Sequence, residues 1–334
     1  MFNVAVVGAT GAVGQEILKV LEERQFPVKK LIPLATARSA GKEIVFRGET
    51  YRVEATGPES FEGVDIAFFA GGSGSRDFAL VARDKGALVI DNSSAFRLDP
   101  EVPLVVPEVN PEDARKHKRL IANPNCSTII MVVPLKPIYD AVGIKRVVVA
   151  TYQAVSGAGA AAIEELRLQT QAVLEGKEYP PQVFPHQIAF NLIPHIDIFS
   201  EYGYTREEWK MVKETRKILH DDNLAITATT VRVPVFRSHS EAVNIETKEK
   251  ISAEAARELL RQAPGVVVID DPQNLQYPMP ITATGRDEVF VGRIREDISV
   301  DKGLNLWVVA DQLRKGAATN AVQIAELVIR SGWL

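Results

Sequence analysis

The single cysteine of the chain, Cys126, lies in the segment Ile121-Ala122-Asn123-Pro124-Asn125-Cys126-Ser127-Thr128. An apolar strand ends there, a proline forces a turn, and a Ser/Thr-rich start leads into a new hydrophobic run. A thiol at a strand-to-helix junction receives the positive end of the helix dipole. That lowers its pKa from about 8.5 toward the ~3.5–7.5 range of reactive cysteines. The alternative is a small buried hydrophobe, the commoner fate of a lone thiol. The rest of the sequence decides between the two.

The segment Thr229-Thr230-Val231-Arg232-Val233-Pro234-Val235-Phe236-Arg237-Ser238-His239-Ser240 carries polar groups in unusual places. Arg232 sits in a β-branched strand, where a charge belongs only if it faces a carboxylate or phosphate. His239 opens the next strand, and it alone of the five histidines adjoins an Arg-bearing strand. Gln153, ending the strand predicted over residues 146–152, offers a donor and an acceptor for orienting a small substrate. Thr205 and Glu208 form a capping box, which leaves Glu207 and Lys210 on one helical face. Those two are either a solvated ion pair or the two sides of a ligand site. Arg97, after the polar cluster Asp91-Asn92-Ser93-Ser94, is an anion clamp or a surface ion pair. Ser156 is no hydrolase nucleophile, because Ala154 replaces the first glycine of G-x-S-x-G. No histidine pair has ligand spacing and one thiol makes no zinc site, so no metal is expected.

Elements to position these residues can be read from periodicity and glycine. Asn3 to Val7 is an apolar strand, followed by Gly8-Ala9-Thr10-Gly11-Ala12-Val13-Gly14 and a helix reaching about Arg24. This G-x-x-G-x-x-G turn fits a dinucleotide fold. Gly8 makes the tight turn, Gly11 lets backbone N–H groups approach a pyrophosphate, and Gly14 lets helix and strand pack closely. The second strand ends without the acid that would hold an NAD ribose. Arg38 and Ser39 stand there instead, suited to a 2′-phosphate, which predicts NADP. Strands over residues 65–70 and 87–90 follow, the first opening into Gly71-Gly72-Ser73-Gly74-Ser75. From about Lys145 the pattern changes to a second region, with long irregular stretches near 175–185 and 270–284. The last helix, about Ala318 to Ile329, begins with small residues and is expected to pack back onto the first region.

The predicted fold is α/β: a Rossmann-type NADP-binding domain, residues 1–127, completed by a C-terminal helix within 314–334. Residues 128–313 form a second, α+β catalytic domain, to which the family resemblance described below adds a dimerisation role. At 334 residues the chain is too long for one typical core. Its net charge of −4 and lack of a basic stripe exclude a nucleic-acid partner. No run is apolar long enough to span a bilayer, the N-terminus enters a strand at once, and one cysteine forms no intrachain disulfide. These features predict a cytoplasmic protein.

Taken in order, several motifs resemble the aspartate-semialdehyde dehydrogenase family over essentially the whole length. They are Gly8 to Gly14, Ser93-Ser94-Ala95-Phe96-Arg97, Asn123-Pro124-Asn125-Cys126-Ser127-Thr128, Tyr152-Gln153-Ala154-Val155-Ser156-Gly157, Arg232-Val233-Pro234-Val235 with His239, and Gly316-Ala317-Ala318-Thr319-Asn320. The resemblance implies Cys126 as nucleophile and His239 as acid/base. It implies Gln153, Arg232, Glu207 and Asn125 around the amino-acid substrate, and Arg97 and Lys210 around phosphate. Gly8, Thr10, Gly11, Ala12, Val13, Gly14, Arg38, Ser39, Ser156, Gly157 and Asn320 would hold NADP. The implied reaction interconverts aspartate 4-semialdehyde and 4-phospho-aspartate with inorganic phosphate, on the route to lysine (through diaminopimelate), threonine, methionine and isoleucine. The implied assembly is a homodimer or a dimer of dimers. One departure stands out: Pro134 and Pro137 predict a short or kinked helix after Cys126. Two other readings compete, an N-acetyl-γ-glutamyl-phosphate reductase and a non-catalytic NADP sensor in which Cys126 only packs.

Overall fold

A computed structural model describes residues 1–72 and 75–334; Ser73 and Gly74 of the glycine-rich loop lie outside the described residues. The chain divides into two compact units, residues 1–125 with 317–334, and residues 126–316.

The first unit is built on a parallel sheet. Its strands are β1 (Phe2–Val7), β2 (Val28–Ala35), the hairpin β3 (Glu43–Phe46) and β4 (Glu49–Arg52) set apart as a small sheet, β5 (Glu54–Ala55), β6 (Ile66–Phe69), β7 (Leu88–Asp91) and β8 (Leu120–Ala122). The sheet order is β5-β2-β1-β6-β7-β8. Val4 to Val6, Ile66 to Phe69 and Leu88 to Ile90 are fully buried, as expected of strands covered on both faces. Because the chain leaves β1 for β2 and later returns to β6 on the other side, the sheet reverses direction between β1 and β6. Ligands of such sheets bind beyond the strand ends at that reversal. The helix α1 (Ala12–Glu23) begins there, and α2 (Ser75–Asp84) joins β6 to β7. The C-terminal helix, Thr319–Arg330, belongs to this unit. Ala318, Ala321, Val322 and Ala325 bury their small side chains in the same core as Val4, Ile17 and Leu21.

The second unit opens with α3 (Cys126–Val142), followed by β9 (Ile144–Gln153), α4 (Ala160–Leu174), α5 (Arg206–Leu219), β10 (Ala225–Arg232), β11 (His239–Thr247), α6 (Ala253–Gln262), β12 (Val266–Val268), β13 (Val289–Glu296) and β14 (Gly303–Ala310). The mixed sheet runs β10-β9-β11-β14-β13-β12. Helix α3 packs on β9, β11 and β14 and α5 on β10, while α6 covers β12 and β13. Alternate residues of β9 and β11, such as Val147, Val149, Val243 and Ile245, are buried in register with the pleat.

Helix α3 is not the short helix that its prolines allow for. It continues as one helix through both Pro134 and Pro137. Each proline deletes a backbone hydrogen bond, but residues Ser127 through Leu135 are all buried. A helix whose first half is buried all round is held by its neighbours rather than by its own propensity.

Candidate active site

Four strand ends meet at one end of the second sheet. Arg232 closes β10 opposite Gln153, which closes β9. His239 opens β11 opposite Ala310, which closes β14. The strand pairing therefore carries an Arg, a Gln and a His to one edge of the same surface. Ser238, just before His239, adopts a left-handed backbone with φ 75°, a conformation costly for a residue with a Cβ. It is held by a hydrogen bond from its N–H to Gln312 Oε1 (2.8 Å) and by hydroxyl contact with Thr284.

Cys126 is the first residue of α3, the end at which the helix dipole favours negative charge. Its Sγ lies 3.5 Å from His239 Nε2. The other ring nitrogen, Nδ1, accepts the backbone N–H of Ala154 at 3.0 Å. A backbone N–H can only donate, so Nδ1 is unprotonated and the neutral ring carries its proton on Nε2, toward the sulfur. Burial, reinforced by the nearby Arg232 charge, holds the His239 pKa well below the usual histidine value. His239 is thus neutral, with one N–H aimed at the thiol.

The carbonyl of the same Ala154 accepts Arg232 Nη1 at 2.6 Å. One peptide residue thereby sets both the histidine ring and the guanidinium. Arg232 is 6% exposed; burial depresses its pKa, while Glu207 and Cys126 act to raise it. Gly157 explains its own identity here. A Cβ on it would lie 3.0 Å from Arg232 Nη1 and 3.3 Å from His239 Cε1. Gly316 is similar, with a Cβ falling 3.0 Å from Cys126 Cβ.

Gln153 Nε2 reaches Glu207 Oε1 at 3.4 Å and Thr151 Oγ1 at 3.3 Å. Glu207 Oε2 accepts from Lys210 Nζ at 3.1 Å, and Lys210 also donates to Asp197 at 2.9 Å. Burial works against the Lys210 ammonium, but Glu207 and Asp197 outweigh it and raise its pKa. The i,i+3 pair is therefore real, and largely buried rather than solvated. The capping box also forms, Thr205 N–H donating to Glu208 at 2.7 Å, and Thr230 N–H adds a third bond to Glu208 at 2.9 Å. The Ser156 hydroxyl accepts from Gln312 Nε2 and is almost wholly buried. Gln312 thus ties Ser156 to Ser238.

In the first unit, the glycine turn has the geometry a dinucleotide cradle needs. Gly8 has φ +83°, and a Cβ on Gly14 would sit 2.1 Å from Gly8 O. Only glycine lets α1 begin this close to the end of β1. Gly11 caps α1, and Thr10, Ala12 and Val13 complete the turn, all partly accessible. Arg38 and Ser39 fall in a short 3-10 turn after β2, Arg38 exposed. These residues fit a nicotinamide dinucleotide, with a cation and a hydroxyl beyond the second strand.

Arg97 is buried and anchored at 2.9 Å to Asn123 O and at 2.7 Å to Asn92 O. Asn123 Nδ2 donates to Asn92 Oδ1 at 2.8 Å, and Asn320 Nδ2 donates to Asn123 Oδ1 at 2.7 Å and to Val105 O at 3.0 Å. Asn320 is fully buried within this network, and Asn125 is also buried. The sequence does not single out Asn92, Asp197 or Gln312. Amides and acids of this kind have no periodic signature, and their partners lie far away in the chain. Of the other histidines, His195 stacks on Phe199 at 5.0 Å, His117 bonds the Trp333 carbonyl at 3.0 Å, His220 ends α5 in a left-handed conformation and His186 is exposed. Among the described residues no acid, His or Cys cluster could hold a metal ion, and no helix is long and apolar enough to cross a membrane.

Residues 3–117 match the family model for the semialdehyde dehydrogenase NAD binding domain, and residues 135–315 the model for the semialdehyde dehydrogenase dimerisation domain. An NAD binding domain joined to a dimerisation domain of this kind defines an oxidoreductase of the semialdehyde dehydrogenase class. The chain is 64% identical to an aspartate-semialdehyde dehydrogenase of Aquifex aeolicus, covering 99% of both chains. It is 56% identical to one from Legionella pneumophila over 98% of this chain and 96% of that one. Aspartate semialdehyde dehydrogenase II of Vibrio cholerae, complexed with ASA, superimposes with a TM-score of 0.96 at 52% identity, covering 99% of this chain and 98% of that one. The Candida albicans enzyme with NADP gives 0.78 at 25% identity, both chains fully covered. The chain belongs to the aspartate-semialdehyde dehydrogenase family.

Proposed function

We propose that the protein catalyses the phosphate-dependent, reversible oxidation of aspartate 4-semialdehyde to 4-phospho-aspartate, through a thioester on Cys126. The observation that carries this reading is the 3.5 Å approach of Cys126 Sγ to a neutral, N–H-bearing His239 Nε2 at the start of a helix. The activity for which the relatives are named, and the ASA and NADP held by two of the solved structures, support it.

A thiolate on Cys126 adds to the aldehyde carbon, giving a hemithioacetal whose C–H is a good hydride donor. The bound nicotinamide supplies the two-electron acceptor, or the donor in the reverse direction. Loss of hydride leaves the acyl group as a thioester on Cys126. Phosphate oxygen attacks the acyl carbon, the C–S bond breaks, and the thiolate is restored. A thiol suits both halves, being strongly nucleophilic and a good leaving group.

His239 directs its Nε2–H as a hydrogen bond to the sulfur anion and then to the hemithioacetal alkoxide without giving the proton up, so the alkoxide loses hydride to become the thioester carbonyl with no proton left over. The tautomer fixed by Ala154 favours this donor role over the acceptor half of the acid/base role implied by the resemblance. A well-aimed donor of this sort is worth about 10²–10³ in rate. Arg232 clamps the substrate carboxylate with a planar fork, Glu207 takes the α-ammonium, and Gln153 and Asn125 orient the substrate. Arg97 and Lys210 neutralise phosphate.

The Gly8–Gly14 turn would receive the pyrophosphate, with Arg38 and Ser39 on a 2′-phosphate, so the preferred coenzyme is NADP. Ser156, Gly157 and Asn320 complete the coenzyme set. The working form is a homodimer through the second domain or a dimer of such dimers, and the reductive direction serves lysine, threonine, methionine and isoleucine synthesis.

The test is NADPH formation with aspartate semialdehyde against N-acetylglutamate semialdehyde, with and without phosphate. Turnover of the first only, dependent on phosphate, is expected. Preference for the acylated substrate would favour the reductase reading, since that substrate has no free ammonium for Glu207.

A further inference from the structure

The irregular chain after α4 is held in place with more care than a surface loop requires. The carboxylate of Glu165, a buried residue on α4, accepts the backbone N–H groups of Gln182 (2.9 Å), Val183 (2.5 Å) and Phe184 (3.4 Å). One turn further along α4, buried Gln169 accepts the N–H groups of Ile188 (2.8 Å) and Ala189 (3.2 Å). Ile193 then makes two backbone hydrogen bonds with Arg232 itself, at 3.0 and 2.9 Å. Ile188, Ala189 and Ile193 are packed into a buried cluster with Val155, Ala162 and Leu166, and Phe184 packs against it. The result of this clamping is the placement of one ring: Phe184 lies 5.7 Å from the centre of the Arg232 guanidinium.

We infer that Phe184 is a positioning residue for Arg232, an aromatic plate that fixes the plane of the guanidinium so that its free edge presents to the substrate carboxylate. The inference rests on the reading of Arg232 as the carboxylate clamp. Ala154 O fixes only one corner of the guanidinium, through Nη1. A planar cation held at one corner can still tilt, and a bidentate contact with a carboxylate tolerates little tilt. A π-face within about 6 Å removes that freedom, and the attraction is stronger when, as here, the cation is desolvated. Phe184 acts through Arg232 and need not touch the substrate, while Glu165 sets the backbone that presents it.

The experiment compares Phe184→Leu, Phe184→Tyr, Glu165→Gln and Arg232→Lys in steady-state kinetics with each substrate varied in turn. Phe184→Leu keeps an apolar filler and loses the π-face. Its KM for aspartate semialdehyde should rise about fivefold to thirtyfold, with a much smaller fall in kcat and little movement in KM for phosphate or NADP. Phe184→Tyr, which keeps the ring, should match the parent; the selective rise in one KM, with kcat and the other KM values little moved, is what a purely structural filler would not show. Glu165→Gln, with its clamp weakened, should raise the same KM. Equal KM values for Phe184→Leu and the parent, with Arg232→Lys strongly raised, would overturn the inference and leave the clamp intact. A silent Arg232→Lys would overturn the clamp, and the inference with it.

Discussion

The backbone N–H of Ala154 donates to Nδ1 of His239 at 3.0 Å, and this bond decides what the histidine can do. It leaves Nε2 as the protonated nitrogen, 3.5 Å from Cys126 Sγ. A second proton, on Nδ1, would set two N–H groups against each other. Burial and the Arg232 charge oppose that proton as well. The ring should therefore stay neutral and in the Nε2–H tautomer as pH falls through 6.5. The sign for stability follows. A depressed histidine pKa makes the unfolded chain bind the extra proton first, so this contribution is present above about 6.5 and is lost as pH drops below it. Nitrogen NMR of ¹⁵N-histidine-labelled protein reads the tautomer directly; a His239 signal titrating near 6.5 would contradict the assignment.

Gly157 provides a second test. The Cβ of Gly157→Ala would press on Arg232 Nη1 and His239 Cε1, both tethered by Ala154. Contacts this close need the neighbours to yield by a few tenths of an ångström, a fraction of the roughly 1 Å misplacement that costs on the order of 10² in rate. kcat/KM should fall about twofold to fivefold while the thermal midpoint of the folded protein changes little. Parent-like kinetics would show that these groups have room to move.

The proposed preference for NADP places Arg38 on the 2′-phosphate. On that proposal Arg38→Ala deletes a charge-assisted contact, a loss of about 1.5–3 kcal/mol, or roughly tenfold to a hundredfold in affinity. Binding of NADPH should weaken by that factor and binding of NADH should not. Equal effects on the two coenzymes would remove Arg38 from the 2′-phosphate site.

Much of this site is legible in the amino-acid sequence. Gly8 and Gly14 stand out because sterics leave no other residue possible where a helix starts against a strand. Arg232 and His239 stand out because charge and imidazole are out of place at the ends of apolar strands. Phe184 does not, because an aromatic in a proline-bounded irregular segment has no period, and its importance comes from Glu165 nearly twenty residues earlier. Gln312 is hidden for the same reason, joining two loops remote in sequence. The helix through Pro134 and Pro137 shows the opposite limit. The local rule favours a break, and the burial of Ser127 through Leu135 overrides it.

Glu241, two residues beyond His239 on β11, is fully buried, and neither carboxyl oxygen has a hydrogen-bond partner among the described residues. Burial raises its pKa well above the ordinary 4.5, so it is held as the neutral acid. A raised folded pKa makes its stability contribution complete below about pH 4.5 and progressively lost as pH rises toward the folded value. Glu241→Gln, which keeps the shape without the proton, should be more resistant to urea than the parent at pH 8 and no more resistant near pH 4. An equal shift at both values would contradict a buried protonated carboxyl.

The central claim is that Cys126 carries the acyl group between hydride loss and phosphate attack. Protein incubated with aspartate semialdehyde and NADP⁺, without phosphate, should be quenched in acid after a single turnover and its peptides weighed by mass spectrometry. The account predicts a mass increase corresponding to an aspartyl thioester on the peptide containing Cys126, released on adding phosphate and absent from Cys126→Ala. Oxidation of the aldehyde with no adduct on that peptide would contradict it.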